Sequence, residues 1–89
     1  MAGHPNDVQM YYVYVLKSLK HAEKMYVGYT AEINQRLWLH NDGKSIYTAK
    51  YRPWSLFWYC VFQDEHKAIE FEKYLKTGSG KALIAKHLI

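Results

Sequence analysis

Two tyrosines stand out because each lies inside a short, otherwise apolar stretch. Tyr14 is flanked by Val13 and Val15, and Tyr26 is followed by Val27. Such β-branched and aromatic runs favour strands on a half-buried, pleated surface. A phenol that is mostly buried needs a hydrogen-bond partner. Either both tyrosines only bridge core and surface, or their hydroxyls belong to a functional site.

A helix expected after the second of these strands carries two further polar candidates. Arg36 and His40 are four residues apart, so they lie on one edge of the helix, next to Ile33. Arg36 could instead form a surface ion pair with Glu32, four residues earlier. His40 could equally be a structural or solvated histidine.

Glu72 is a carboxylate in an apolar setting. It falls three or four residues from Ala68, Ile69 and Leu75, which form the apolar stripe of a second helix. Because burying an unpaired charge is costly, Glu72 needs a cation, a metal ion or a proton. An ion pair with Lys76 or Arg36 would satisfy the same need.

A basic and aromatic loop is expected at residues 43–53. Basic side chains interleaved with phenols suit a nucleic-acid backbone and its bases, although a solvated loop is equally consistent with this stretch. The candidate binding residues are Lys44, Tyr47, Lys50, Tyr51 and Arg52.

The elements that must position these side chains define an α+β fold, a three-stranded antiparallel sheet flanked by helices in the order β-β-α-β-α-α. Thr30 and Asp64 are expected to cap helices, and Gly78-Ser79-Gly80 is expected to break the chain. The third strand is almost entirely apolar and aromatic, which predicts a central position. The expected elements are strands at 11–16, 25–29 and 54–62, and helices at 31–41, 65–77 and 81–87.

Length and composition indicate one domain. With 89 residues, the chain suits a single domain at 10–89 after a disordered tail at 1–9. The net charge of +4 and the aromatic share of 17% suit a polyanionic partner without requiring one.

The single cysteine, Cys60, cannot form an internal disulfide or a zinc site and is expected to be buried. No signal peptide or membrane-length apolar segment is visible, so a cytoplasmic protein is expected.

Several of these residues together resemble the GIY-YIG nuclease signature. Tyr12-Val13-Tyr14 and Tyr26-Val27-Gly28 resemble its two halves, and Arg36, His40 and Glu72 follow in the expected order. The chain departs from the signature where Tyr12 replaces the first glycine and valines replace the isoleucines. The later segment, residues 71–80, resembles the small stand-alone, UPF0213-like members, so the similarity spans roughly residues 10–88.

The resemblance implies a metal-dependent DNA endonuclease that is structure-selective or weakly sequence-selective. Glu72 would hold one Mg²⁺ or Mn²⁺ ion, since magnesium keeps several waters and needs few carboxylates. Arg36 would bind the scissile phosphate through its forked guanidinium. Tyr14 would act as general base or orient the attacking water, Tyr26 would position water or phosphate, and His40 would contact phosphate or shuttle protons.

This interpretation requires Tyr14, Tyr26, Arg36 and Glu72 to converge on one concave, positively biased surface. The expected partner is DNA, with RNA not excluded, and a homodimer or a partner protein would help targeting. Two other classes of function remain open: a nucleic-acid-binding module of the same fold without significant catalysis, and a protein-interaction domain that uses the aromatic surface.

Overall fold

A computed structural model describes residues 9–88 of the chain, so residues 1–8 of the expected tail lie outside the described part. The structure confirms the α+β class and the three-stranded antiparallel sheet. Strand boundaries agree closely with the sequence expectation, and helix boundaries differ more. The elements are β1 (Tyr11–Ser18), β2 (Met25–Thr30), α1 (Ile33–Asn41), α2 (Ile46–Ala49), β3 (Trp54–Phe62), α3 (Glu65–Leu75), α4 (Gly78–Leu83) and a π-helical turn (Ile84–Leu88).

The strand order is β2-β1-β3, so the prediction that β3 is central was wrong. The central strand is β1, whose residues 13–16 are all buried. β3 is an edge strand, with Tyr59 50% exposed and Cys60 half-buried rather than sealed. Aromatic side chains suit half-exposed surfaces as well as cores, so the composition of β3 could not reveal its position.

The two faces of the sheet carry different helices. Because successive side chains of a strand point to opposite faces, Val13 and Val15 pack with Ala68 and Leu75 of α3 and with Ile84 beyond α4. The opposite face is covered by α1 and the loop that follows it. Its core consists of Tyr14, Leu16 and Trp54, with Tyr26, Ile33, Leu37, Tyr51 and Leu56 packed against them.

The loop expected at residues 43–53 contains the short helix α2, which the sequence analysis missed. Thr30 does not cap α1: its hydroxyl accepts from the Glu32 amide at 3.0 Å, and the helix begins only at Ile33. Asp64 caps α3 as predicted, with Oδ1 accepting from the His66 amide at 2.9 Å.

The segment at residues 78–80 starts a helix instead of breaking the chain. Thr77 caps α4 by accepting from the Gly80 amide at 3.1 Å. A Cβ atom at Gly80 would collide with the Tyr74 carbonyl and the Leu75 backbone, so a glycine lets α4 approach α3 closely. The single final helix expected at 81–87 is therefore replaced by α4 and the π-helical turn.

Among residues 9–88, no helix combines the length and apolar character needed to cross a membrane.

Candidate active site

Tyr14 lies at the centre of the sheet, and its ring extends over the neighbouring strand. Its side chain is only 2% exposed. Tyr14 pairs with Gly28 of β2 in the strand register, and a Cβ atom on that glycine would lie 2.6 Å from the Tyr14 hydroxyl. Gly28 therefore provides the space through which the phenol reaches towards the β2 edge.

The Tyr14 hydroxyl finds its partner in His40, near the C-terminal end of α1. Oη of Tyr14 lies 3.2 Å from Nε2 of the imidazole. His40 is 1% exposed, and its other ring nitrogen, Nδ1, lies 2.8 Å from the hydroxyl of the buried Thr48 in α2. The Thr48 hydroxyl donates in turn to the Ser45 carbonyl at 3.4 Å, so a chain of hydrogen bonds leads away from Tyr14.

Tyr26 and Arg36 complete this cluster. The Tyr26 ring is centred 4.8 Å from the His40 ring and 6.4 Å from the Tyr14 ring. Arg36 is exposed, and it interacts with the hydroxyls of both tyrosines, most strongly with that of Tyr14, which raises the pKa of the guanidinium. No ion pair joins Arg36 to Glu32 in the described chain.

Burial determines the protonation states of Tyr14 and His40. It raises the pKa of Tyr14 above 10.0, although the hydrogen bond with Arg36 acts in the opposite direction. Burial, with the positive charge of Arg36, lowers the pKa of His40 below 6.5. At neutral pH the site therefore contains a neutral phenol and a neutral imidazole beside a permanent positive charge.

Glu72 lies apart from this cluster. Its helix, α3, packs on the opposite face of the sheet, and its side chain is 14% exposed and paired with Lys76 at 2.5 Å. It makes no hydrogen bond or ion pair to Tyr14, Tyr26 or Arg36 within the described residues. Its charge nevertheless contributes to the raised pKa of Tyr14. Tyr14, Tyr26 and Arg36 thus come together as expected, but the Glu72 carboxylate does not contact them directly.

A groove at the outer edge of β2 connects the phenol cluster with helix α3. It encloses about 510 Å³. Tyr26 and Tyr47 line it from the cluster side, while Leu75 and Lys76 line it from α3. Because Lys76 is paired with Glu72, the groove runs from the phenol cluster to the immediate surroundings of the carboxylate. Its charged lining residues are Glu23, Lys24, Lys76 and Lys81.

The predicted binding loop does not form one continuous surface. Lys44 lies beside Arg36 and His40 in a recess of about 280 Å³, and Tyr47 is 60% exposed at the β2 groove. Tyr51 packs against the sheet, and Lys50 lies 5.6 Å from its ring. Arg52 is exposed, with its guanidinium beside Gly43. Of the five predicted binding residues, only Lys44 and Tyr47 therefore border the cluster of Tyr14, Tyr26, Arg36 and His40.

Sequence reasoning missed Thr48, Lys24 and Lys81. A hydroxyl eight residues after a histidine is not a recognised spacing, and only the short helix α2 brings Thr48 to His40. Asn41 was also overlooked: its amide side chain accepts from the Trp54 amide and donates to the Trp54 carbonyl, at 2.5 and 3.0 Å. Asn41 thereby ties the end of α1, and with it His40, to the start of β3.

The residues present suit a hydrated magnesium or manganese ion better than a fully protein-ligated metal. Within residues 9–88, no group of three or more His, Cys, Asp or Glu side chains is placed to hold a metal. Glu72 is a single, partly exposed carboxylate paired with Lys76, which lines the groove at the β2 edge. Mg²⁺ binds such sites because it retains most of its waters.

Comparison with known proteins supports the resemblance predicted from the sequence. Residues 10–85 match the family described as the GIY-YIG catalytic domain. The chain is similar to a UPF0213 protein of Streptococcus pyogenes serotype M3 (strain ATCC BAA-595 / MGAS315), with 41% identity over 81 residues, or 85% of this chain and 86% of the relative. It is 43% identical over 82 residues to a UPF0213 protein of serotype M5 (strain Manfredo), with the same coverage.

Proposed function

This chain belongs to the GIY-YIG catalytic-domain family, a family of nucleases, and we propose that it is a divalent-metal-dependent endonuclease that hydrolyses DNA phosphodiester bonds. The observation that carries the proposal is the buried Tyr14–His40 hydrogen bond beside the Arg36 guanidinium. It places a proton acceptor and a phosphate-binding cation next to each other, which hydrolysis of a phosphodiester requires.

Arg36 binds the scissile phosphate. Its exposed guanidinium offers two parallel N–H donors to phosphate oxygens and keeps its charge at any working pH. Lys44, in the recess next to Arg36, adds a second positive charge on the same side, which it shares with an exposed ion pair to Asp42 at 3.7 Å. Together they offset the charge that accumulates on the phosphate oxygens as the attacking oxygen approaches.

Tyr14 and His40 activate the attacking water. The Tyr14 oxygen accepts a proton from the water while the phenol proton passes to Nε2 of His40, which leaves a neutral phenol and an imidazolium. The water oxygen forms the new bond to phosphorus, and the bond from phosphorus to the leaving 3′ oxygen breaks. The transfer to His40 removes the need to form a free phenolate, which the raised pKa of Tyr14 disfavours. Tyr26 positions the water or the phosphate through its hydroxyl.

Glu72 would hold the divalent metal. When bound, Mg²⁺ or Mn²⁺ supplies Lewis-acid stabilisation of phosphate and leaving-group oxygens. The Glu72 carboxylate is paired with Lys76, and a metal held by Glu72 would compete with that ion pair.

The groove at the β2 edge accommodates the DNA backbone. Lys24 and Lys81 outnumber the one carboxylate that lines it, Glu23, and the third lysine, Lys76, is paired with Glu72. Tyr47 offers a largely exposed ring to a base or sugar. The proposed interface thus combines this groove with Lys44, in place of the whole loop at 43–53. A cytoplasmic location and a homodimer or partner protein stay predictions from the sequence.

The test is cleavage of plain, nicked and branched DNA, and of an RNA of the same sequence, with Mg²⁺ or Mn²⁺. The wild type is compared with Glu72→Ala and Arg36→Ala, prepared identically so that contaminating nuclease appears in all three. Cleavage that both variants abolish supports the proposal. Salt-sensitive DNA binding without cleavage by the wild type would identify the chain as a binding module of this fold.

A further inference from the structure

We infer that Thr48 is a positioning residue that fixes His40 in the tautomer with its proton on Nδ1 and its lone pair on Nε2, facing Tyr14. The inference deepens the proposed function. The expected effect of Thr48 on the cleavage rate rests on that function, whereas the tautomer of His40 does not. Thr48 belongs to no motif in the sequence, and it lies on α2, the helix that the sequence analysis did not predict.

The donor and acceptor roles on the Tyr14 side follow from Arg36. Arg36 lines the same recess as His40, and it acts on the Tyr14 hydroxyl. Because a guanidinium can only donate hydrogen bonds, the Tyr14 oxygen is the acceptor towards Arg36. The single phenol proton is then available to Nε2 of His40, which lies 3.2 Å away. Since both side chains are almost fully buried, water does not compete for that proton. Nε2 therefore carries the lone pair.

The donor and acceptor roles on the Thr48 side of the imidazole lead to the same tautomer. The Thr48 hydroxyl has one proton, and that proton points to the Ser45 carbonyl, 3.4 Å away. The hydroxyl oxygen is then an acceptor for the proton on Nδ1 of His40 at 2.8 Å. The opposite tautomer would take the Thr48 proton away from Ser45 and would leave the Tyr14 proton without its acceptor. Because burial makes an unpaired polar group costly, the Nδ1–H form is favoured from both sides.

The tautomer decides whether His40 can act in the proposed step. An imidazole protonated on Nε2 would donate to Tyr14 and could not take its proton. With the lone pair on Nε2, His40 receives the phenol proton, and the resulting imidazolium keeps both N–H groups bonded, one to Tyr14 and one to Thr48. Thr48 thus acts on the reaction only through the imidazole.

The measurement is ¹⁵N NMR of the histidine ring nitrogens at pH 7.5 in wild type, Thr48→Val and Thr48→Ser. The wild-type His40 should show a protonated Nδ1 and an unprotonated Nε2, and the serine variant should keep this pattern. Valine, which has nearly the shape of threonine without its hydroxyl, should shift His40 towards the Nε2–H form. The exposed His66 and His87 serve as internal references in each spectrum.

Cleavage rates are measured on the same samples. Thr48→Val should lower the rate by about 10–100-fold, as loss of an orienting partner commonly does, and Thr48→Ser should restore most of it. A protonated Nε2 in the wild type, or an unchanged tautomer in Thr48→Val, overturns the inference. If the wild type shows the expected tautomer but no preparation cleaves DNA, the proposed function fails and the assignment of Thr48 stands.

Discussion

Tyr14 combines two properties that conflict in the proposed general base: its hydroxyl lies beside Arg36, the proposed phosphate-binding residue, yet burial holds its pKa above the ordinary value for a phenol. His40 resolves the conflict only because it is neutral at neutral pH and directly bonded to the phenol. The chemistry of the site therefore belongs to the pair rather than to either residue alone.

Replacing Tyr14 with phenylalanine should reduce single-turnover cleavage by about 10²–10⁴-fold, the usual contribution of a positioned proton-transfer group. DNA affinity should change little, because phenylalanine keeps the ring and leaves Arg36 in place. The matched control is Tyr12→Phe on the same strand, which should cleave normally. A Tyr14→Phe variant with full activity would exclude the phenol oxygen from the reaction.

The lowered pKa of His40 makes stability depend on pH. The unfolded chain binds a proton on this histidine near pH 6.5, whereas the folded chain resists doing so until a lower pH. The stabilisation is thus fully present above about pH 6.5 and is lost as the pH falls below that value. Chemical denaturation at pH 7.5 and pH 5 should show a larger loss of unfolding free energy for the wild type than for His40→Gln. Equal losses would show that His40 titrates normally.

At the scale of elements, the site depends on how β2 and α1 flank the central strand. Gly28 is the point of closest approach, since any larger residue there would enter the volume of the Tyr14 hydroxyl. The sequence predicted both strands and their antiparallel pairing, but not the register that places Tyr14 opposite Gly28. It could not predict that α2 forms within the basic loop, because four residues without a side-chain cap are stabilised by packing rather than by local propensity.

Gly28→Ala should displace the Tyr14 ring and lengthen its bond to His40. The added methyl group would lie 2.6 Å from Oη and 2.8 Å from Cζ of the phenol, an overpacking that typically costs about 1–3 kcal/mol. Denaturant unfolding should show this loss together with a large fall in cleavage. The control is Gly78→Ala, because a Cβ atom there meets nothing within 4 Å. This variant should leave the free energy of unfolding and the cleavage rate unchanged. Full activity of Gly28→Ala would show that the position of the ring is not critical.

The β2 groove makes a separate prediction about binding. If Lys24 and Lys81 each contact a phosphate of duplex DNA, the double alanine variant should reduce the slope of log affinity against log salt by about 1.8. Lys67 and Lys86 are exposed lysines outside the groove, so their double alanine variant has the same net charge and is the control. Equal slopes for the two variants would indicate a diffuse attraction instead of a binding groove.

At the scale of the whole molecule, the sheet separates the two halves of the site. The phenols, Arg36 and His40 lie with α1 on one face, while α3, which carries Glu72, packs on the other. The groove at the β2 edge links Tyr26 to Lys76, the partner of Glu72. The sequence predicted the fold class and the identity of the family. It could not show this separation, because apolar periodicity identifies the buried side of α3 but not the sheet face that α3 covers. It misplaced β3 because aromatic side chains suit a half-exposed edge strand as well as a central one.

The central claim is that Glu72 and the phenol cluster act together on one phosphate bound at the β2 edge of the sheet. Single-turnover DNA cleavage with Mg²⁺ by Tyr14→Phe, Glu72→Gln and the double variant tests it most directly. Groups that act as a unit give strongly non-additive losses, so the double variant should be no more than a few-fold slower than the slower single variant. Losses that multiply in the double variant, or full activity of Glu72→Gln, would contradict the claim.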